Sequence, residues 1–241
     1  MGRLIALLYG VACYLVFVVT FLYAVGFVGG FIVPKTIDSW PVVPLGEALS
    51  INILLMGLFA VQHSVMARPG FKRWCTRLIA NSVERSTYVL ATCLSLAILF
   101  WFWRPISYPI WTIEQPVVRL IILLVFWLGW LMVLFAGLRS NYLALIGLRQ
   151  VLDASGGRPV SAPTLTTSGL YRLVRHPIYV GTLIAFWATP HMTAGHLLFA
   201  AVGTAYTVFG TFLEERDLVG TFGDRYRRYQ REVRMLLPFP K

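Results

Sequence analysis

The chain has 241 residues, of which 58% are apolar and 13% charged, with a formal net charge of +11 and a mean hydropathy of +0.71. Globular domains carry about 25% charged residues, so a soluble domain, a disordered chain and a secreted disulfide module are excluded and an integral membrane protein remains. Cys13, Cys75 and Cys93 form no CxxC and no metal spacing, and read as small core residues.

Five stretches lack Asp, Glu, Lys and Arg: Leu4 to Pro34, Ala48 to Ala67, Ser86 to Trp103, Leu120 to Leu138, and His176 to Leu213. The first spans with tilt and is too long for a signal peptide. The next three each suit one helix of about 20 residues. The last holds 38 residues, with Pro190 and His191 near its middle. It is too long for one crossing and predicts a hairpin, a short helix to about Thr189 and a longer one to Leu213. Proline supplies the break, because it lacks an N–H donor and clashes with the preceding turn. The expected fold is all-α: a polytopic helical membrane protein with four spans and a C-terminal transmembrane hairpin. Residues 1–138 form the N-terminal helices with substrate-side groups. Residues 139–241 form the loop, hairpin and amphipathic tail. There is no internal repeat.

Lys and Arg are distributed unevenly. With the N-terminus inside, 18 of the 21 basic residues fall on the inner side, and only Lys35, Arg104 and Arg119 on the outer. This asymmetry orients the chain with both termini in the cytoplasm, and the expected location is the inner, cytoplasmic membrane. It also accounts for the basic charge without nucleic acid, and nothing points to a protein partner. Two inner segments are long enough for chemistry. Arg139 to Arg175 contains an irregular loop marked by Gly156-Gly157, Pro159 and Pro163. In the tail, Leu218, Phe222, Tyr226, Tyr229 and Val233 recur at spacings of 4, 4, 3 and 4, one face of an amphipathic helix. That helix either lies on the membrane surface or acts as a lid over a site.

Polar groups gather at three places on the inner boundary. In the first, Arg175 and His176 precede Pro177, which suits the first turn of the hairpin helix. Backbone N–H groups there can bind a carboxylate, or the two residues simply anchor the helix end. In the second, Glu214-Glu215 end the long uncharged run. A cationic ligand, Arg175 as partner, or plain solvation would account for them. In the third, Gln62-His63-Ser64 lie near the inner end of the second span. An ionisable residue inside a span is a functional candidate, and His63 is either a proton acceptor or a packing histidine. Dispersed histidines without HExxH give no metal site. The absence of GxGxxG and GxxxxGK[ST] leaves no Rossmann or P-loop signature.

The run Thr167-Ser168-Gly169-Leu170-Tyr171, with Arg175-His176-Pro177-Ile178-Tyr179-Val180-Gly181, is one half of a paired motif. Glu214-Glu215, Leu218, Phe222-Gly223, Tyr226, Tyr229, Val233 and Pro238 are the other. Together they resemble the isoprenylcysteine carboxyl methyltransferase superfamily of integral membrane methyltransferases, which use S-adenosylmethionine. The N-terminal runs Gln62 to Pro69 and Glu84 to Tyr88 resemble two bacterial branches, the methanethiol S-methyltransferases and the NnrU-like proteins. Over its full length the chain resembles the former most.

The resemblance implies that Pro163, Thr164, Leu165, Thr166, Tyr171, His176, Pro177, Ile178 and Tyr179 line the S-adenosylmethionine site, with Glu214 reaching it from the other motif. Gln150 matches a cofactor-contacting glutamine. The prenylcysteine enzymes place a substrate-serving arginine four residues before the acid that matches Glu214; here that position is Gly210, which favours a small neutral acceptor.

The implied reaction is methylation of methanethiol to dimethyl sulfide. In it His63 takes the thiol proton. Gln62, Asn141 and Tyr142 position the small thiol. Arg175, Glu214 and Glu215 serve the cofactor's charges. The rivals are another thiol, a lipid or a prenylcysteine carboxylate as acceptor, a non-catalytic NnrU-like protein supporting denitrification, and a sterol-reductase type of chemistry.

Overall fold

The computed structural model describes residues 2–39, 41–159 and 164–237. Pro163, one of the expected loop residues, lies outside them. The fold is helical, and among the described residues five helices are long and apolar enough to cross a membrane: α1 (Gly2–Gly29), α2 (Leu45–Ala67), α4 (Asn81–Phe102), α5 (Pro116–Arg139) and α9 (Ala194–Phe222). Between them lie the short helices α3 (Pro69–Cys75), α6 (Tyr142–Leu145), α7 (Leu148–Ser155) and α8 (Pro177–Trp187), and α10 (Asp224–Glu232) follows α9. The long helices expose apolar side chains such as Leu8, Leu15, Leu54, Leu124 and Phe209. A helix that is apolar all round is suited to lipid rather than water.

Capping sets several helix starts. Gln115 accepts a hydrogen bond from the Val118 N–H at 2.6 Å, with Pro116 in the first turn of α5, where a missing donor costs nothing. Thr193 accepts from the His196 N–H at 3.1 Å and starts α9.

The described chain packs as two units. The first takes in Met1–Pro105 and Asn141–Pro163. In it α4 packs against α1, α2 and α7. Tyr88, Val89 and Cys93 of α4 are buried with Phe17, Met66 and Ala67 against them. At the far end of α1 and α4 the Phe27 and Phe100 rings meet at 4.7 Å, and the Trp103 indole donates to the Ile37 carbonyl at 3.0 Å. The second unit takes in Ile106–Ser140 and Thr164–Lys241. Here α5 and α8 run in close contact because both carry glycine at the crossing. A Cβ on Gly181 would stand 2.5 Å from the Gly129 carbonyl oxygen.

Two features differ from the sequence reading, a ribbon and the tail, while the break in the long uncharged run is, as expected, a hairpin with a short first arm: α8 has 11 residues. That is about 16 Å of helix, half of a hydrocarbon core of about 30 Å. A short antiparallel ribbon, β1 (Pro109–Thr112) with β2 (His191–Thr193), ties the α4–α5 connection to the hairpin turn. Finally, the tail is two helices rather than one. Leu218 and Phe222 belong to α9, while Tyr226 and Tyr229 belong to α10. Gly223 stands between them with φ +55°, a conformation glycine adopts without the steric cost a Cβ brings.

The glycine crossing yields the first prediction. Gly181→Val should lower the stability of the detergent-solubilised protein by about 1–3 kcal/mol through overpacking, read as a lower unfolding midpoint in a thermal melt. An unchanged midpoint would mean that α5 and α8 do not pack at this distance.

Candidate functional site

In the second unit the two halves of the motif meet around α8. A single 3-10 turn, Gly169–Arg172, leads into it. Val174 then pairs with Arg234 as an isolated bridge. The Arg175 N–H donates to the Arg234 carbonyl at 2.8 Å and the His176 N–H to that of Met235 at 3.2 Å. The chain after α10 therefore returns as a strap beside the entrance of α8, and takes up the two N–H groups just before it.

Glu215 is buried and forms the centre of this arrangement. Its Oε1 accepts from Arg175 Nε at 2.6 Å and Tyr226 Oη at 3.2 Å, and lies 3.1 Å from His176 Nε2. Its Oε2 accepts from Gln230 Nε2 at 2.9 Å. The Arg175 guanidinium reaches on to the carbonyls of Gln230 and Val233. A buried charge is tolerated when paired and fully hydrogen-bonded, and here the entrance of α8 and α10 supply the partners of Glu215, while the strap helps hold Arg175.

Glu214 is placed differently. Its side chain is 41% exposed, with Oε2 3.6 Å from His176 Nδ1, and it accepts one hydrogen bond, from Tyr179 Oη at 2.5 Å. The imidazole of His176 thus faces one carboxylate with each nitrogen, and its ring stacks on Tyr179 at 5.4 Å and 6°. Pro177 is the buried first residue of α8, and the Ile178 carbonyl accepts from Thr182 Oγ1 at 3.0 Å. Tyr229 donates its hydroxyl to the Tyr171 carbonyl. Burial pushes the Tyr171, Tyr226 and Tyr229 hydroxyls above the usual tyrosine range, and the Glu215 charge adds to this for Tyr226. They remain protonated donors. Thr164, Leu165 and Thr166 precede the 3-10 turn without regular secondary structure. Leu165, Thr167, Arg172, Arg228, Tyr229 and Glu232 line a cleft of about 530 Å³, within the range of small-molecule sites.

In the first unit, Gln62 and His63 face α4. Gln62 Oε1 accepts from Ser95 Oγ at 3.0 Å. His63 stacks on Phe59 at 5.3 Å, with Thr92 Oγ1 3.2 Å from Nδ1 and Tyr88 Oη 2.9 Å from Nε2. Thr92 already donates its hydroxyl hydrogen to the Tyr88 carbonyl at 3.0 Å, so toward His63 its oxygen accepts. An N–H at Nδ1 satisfies that oxygen, and Tyr88 Oη lies within reach of both ring nitrogens, 3.1 Å from Nδ1 as well as 2.9 Å from Nε2. Asn141 is left-handed at φ +61°. Tyr142 packs on Tyr14 and Phe17, and burial, with Tyr14 beside it, pushes its hydroxyl up to about 12. Gln150 donates to the Ala144 carbonyl at 3.1 Å, while its Oε1 is buried with no hydrogen-bond partner among the described residues.

The structure thus gathers Arg175, His176, Tyr179, Glu214 and Glu215 in one cluster, Gln62 and His63 in a second, and Asn141, Tyr142 and Gln150 around α6 and α7. Tyr226 and Gln230, which complete the Glu215 shell, and Tyr88 and Thr92, which hold His63, were not singled out from sequence as partners. For Tyr226 the signal was its place on the aromatic face of the tail. For Tyr88 it was its place in the Glu84-to-Tyr88 run.

The Glu215 shell makes a stability prediction. Arg175→Gln leaves a buried carboxylate without its cation, a loss of about 3–5 kcal/mol. Limited trypsin digestion should then cleave within 224–234 much faster than in the unaltered protein. The double variant Arg175→Gln/Glu215→Gln should recover part of the loss. Equal digestion of all three would show that the ion pair does not hold the strap.

Comparison with known proteins adds a second line. The family model described as "NnrU protein" matches residues 51–235. Methanethiol S-methyltransferase of Mycobacterium tuberculosis is 51% identical over 240 residues, covering 100% of this chain and 98% of the relative. Methanethiol S-methyltransferase 1 of Bradyrhizobium diazoefficiens is 52% identical, over 98% of this chain and 83% of the relative. Nurim of Xenopus laevis is 31% identical over 78% of this chain and 67% of its own length. No solved structure matches the chain.

Proposed function

The chain belongs to the NnrU family, and from that premise we propose that it is a membrane methyltransferase that converts methanethiol to dimethyl sulfide with S-adenosylmethionine as donor. The observation that carries the reading is the near-half identity, along the whole chain, to relatives named for that reaction.

The residues present fit such a donor. Glu214 offers a partly exposed carboxylate with a single tyrosine donor, suited to a cationic ligand. We assign Glu214, Tyr179, Tyr171 and Thr164 to Thr166, all in the second unit, to holding it. When bound, S-adenosylmethionine supplies a methyl group already activated on a sulfonium sulfur, and is left as S-adenosylhomocysteine.

The protein's tasks are to remove the thiol proton, align the reactants and exclude water, because the thiolate is the nucleophile. In this reading His63 Nε2 accepts the proton, and Tyr88 and Thr92 hold its ring in place. Gln62, Asn141 and Tyr142 shape the acceptor side. Arg175 and Glu215 act by holding α8 and the strap that frame Glu214. The functional division falls near residue 138, with Gln62 and His63 before it and the donor-side groups after it, while Asn141 and Tyr142 serve the acceptor from just beyond it. Both termini lie in the cytoplasm by the basic-residue asymmetry, where the donor and the inner boundary meet.

The test is headspace gas chromatography of membranes containing the chain, supplied with methanethiol and S-adenosylmethionine. Dimethyl sulfide that depends on both supports the reading. Its absence from folded, donor-binding protein overturns the substrate. His63→Gln should lower kcat by about 10²–10⁴ while donor binding, measured by calorimetry, stays. An unchanged kcat would return His63 to a packing role.

A further inference from the structure

The cleft beside α10 has a chemistry that Glu214 does not share. Arg172, Arg225 and Arg228 all line it, against one carboxylate, Glu232. None of the three guanidiniums makes a hydrogen bond or ion pair among the described residues, whereas their sequence neighbours Arg175 and Arg227 do, as does Arg139. Leu165 and Val233 give the cleft an apolar wall and Tyr229 an aromatic one. Three like charges converging on one concavity repel one another unless an anion joins them, and a planar guanidinium is matched to phosphate oxygens in pairs. The net charge of the lining is unsuited to a sulfonium cation.

The depth of the cleft follows from the helix it hangs on. Charge begins on α9 at Glu214; the preceding stretch from Ala194 is about 30 Å of helix, the thickness of a hydrocarbon core. Beyond Gly223 the chain turns, and α10 folds back so that Tyr226 and Gln230 reach Glu215. The strap then rejoins the chain at Val174 to His176, at the start of α8. Arg172, Arg225 and Arg228 are thereby held close to the level at which the apolar stretch ends, the depth of lipid headgroups.

We propose that this cleft is a binding site for the phosphate of an anionic phospholipid, with Arg172, Arg225 and Arg228 as its ligands and Leu165 and Val233 against the glycerol and upper acyl chain. The cleft adjoins the proposed donor site through Leu165, which both use, but its arginines take no part in the methyl-transfer reading and the proposal does not depend on that reading. A lipid so bound joins the 3-10 turn to α10 and holds the tail down on the membrane.

The test uses the full chain purified in an uncharged detergent. Native mass spectrometry counts retained phosphatidylglycerol and phosphatidylcholine during titration with each. The expected result is one saturable phosphatidylglycerol, bound at least tenfold more tightly than phosphatidylcholine. Affinity should fall about tenfold in Arg172→Gln/Arg228→Gln and stay unchanged in Arg73→Gln, an exposed arginine on α3. The circular dichroism of both variants should match the unaltered protein, since none of these guanidiniums has a hydrogen-bond or ion-pair partner among the described residues. Equal binding of the two lipids, or no effect of the double variant, overturns the proposal. Displacement of phosphatidylglycerol by an equal concentration of inorganic phosphate would assign the cleft to a soluble anion. A raised KM for S-adenosylmethionine in the double variant, with lipid binding intact, would assign it to the donor's carboxylate; both results overturn the lipid.

Discussion

The buried carboxylate of Glu215 is the constraint on which the second unit depends. An unpaired charge at this depth would cost several kcal/mol, so the surrounding chain is arranged to satisfy it. Arg175 and His176 come from the entrance of α8, Tyr226 and Gln230 from α10. Each donor drags its own element into place. The turn at Gly223, the return of the strap beside Val174 and the direction of α8 are the backbone consequences of converging these donors on one group. The apolar contacts, chiefly the glycine crossing of α5 with α8, fix how closely the helices approach but not where the tail goes.

Two adjacent carboxylates at the end of α9 have opposite surroundings. Successive residues on a helix point about 100° apart, so Glu215 turns inward to its four partners while Glu214 stays 41% exposed with a single tyrosine donor. One carboxylate is consumed by structure and the other is left available. In the proposed function that division gives Glu214 the cationic donor, and it explains why a pair rather than a single acid ends the uncharged run. His176 links the two, one nitrogen toward each, so the structural carboxylate also orients the imidazole beside the available one.

Much of this was legible in the sequence because the bilayer imposes crude rules. Charge-free runs marked the five long helices, and Pro190 marked the hairpin between α8 and α9. The short length of α8 was also visible. The ribbon of β1 with β2 was not, since three or four residues carry no periodicity that stands out from a loop. The tail was misread as one helix because the apolar spacing from Leu218 to Val233 survives across Gly223, and spacing alone does not report a turn. Within the site, Arg175, His176, Tyr179 and Glu214-Glu215 were found as polar groups at a membrane boundary. Which acid was buried was not legible, as that depends on donors from a helix whose direction Gly223 sets. Tyr88 and Thr92 beside His63 lie on another helix, 25 and 29 residues away, beyond the reach of local patterns.

The account turns on the separate roles of the two acids, and binding rather than turnover tests that most directly. Isothermal titration calorimetry would compare S-adenosylmethionine with S-adenosylhomocysteine, which differ by one methyl group and one positive charge, in the unaltered protein and in Glu214→Gln. The account predicts that the unaltered protein prefers the cationic donor by about tenfold, roughly 1.4 kcal/mol, and that the preference collapses in Glu214→Gln while the fold and the strap remain. The same donor-to-product ratio in both proteins would contradict it, and would leave Glu214 as a surface charge.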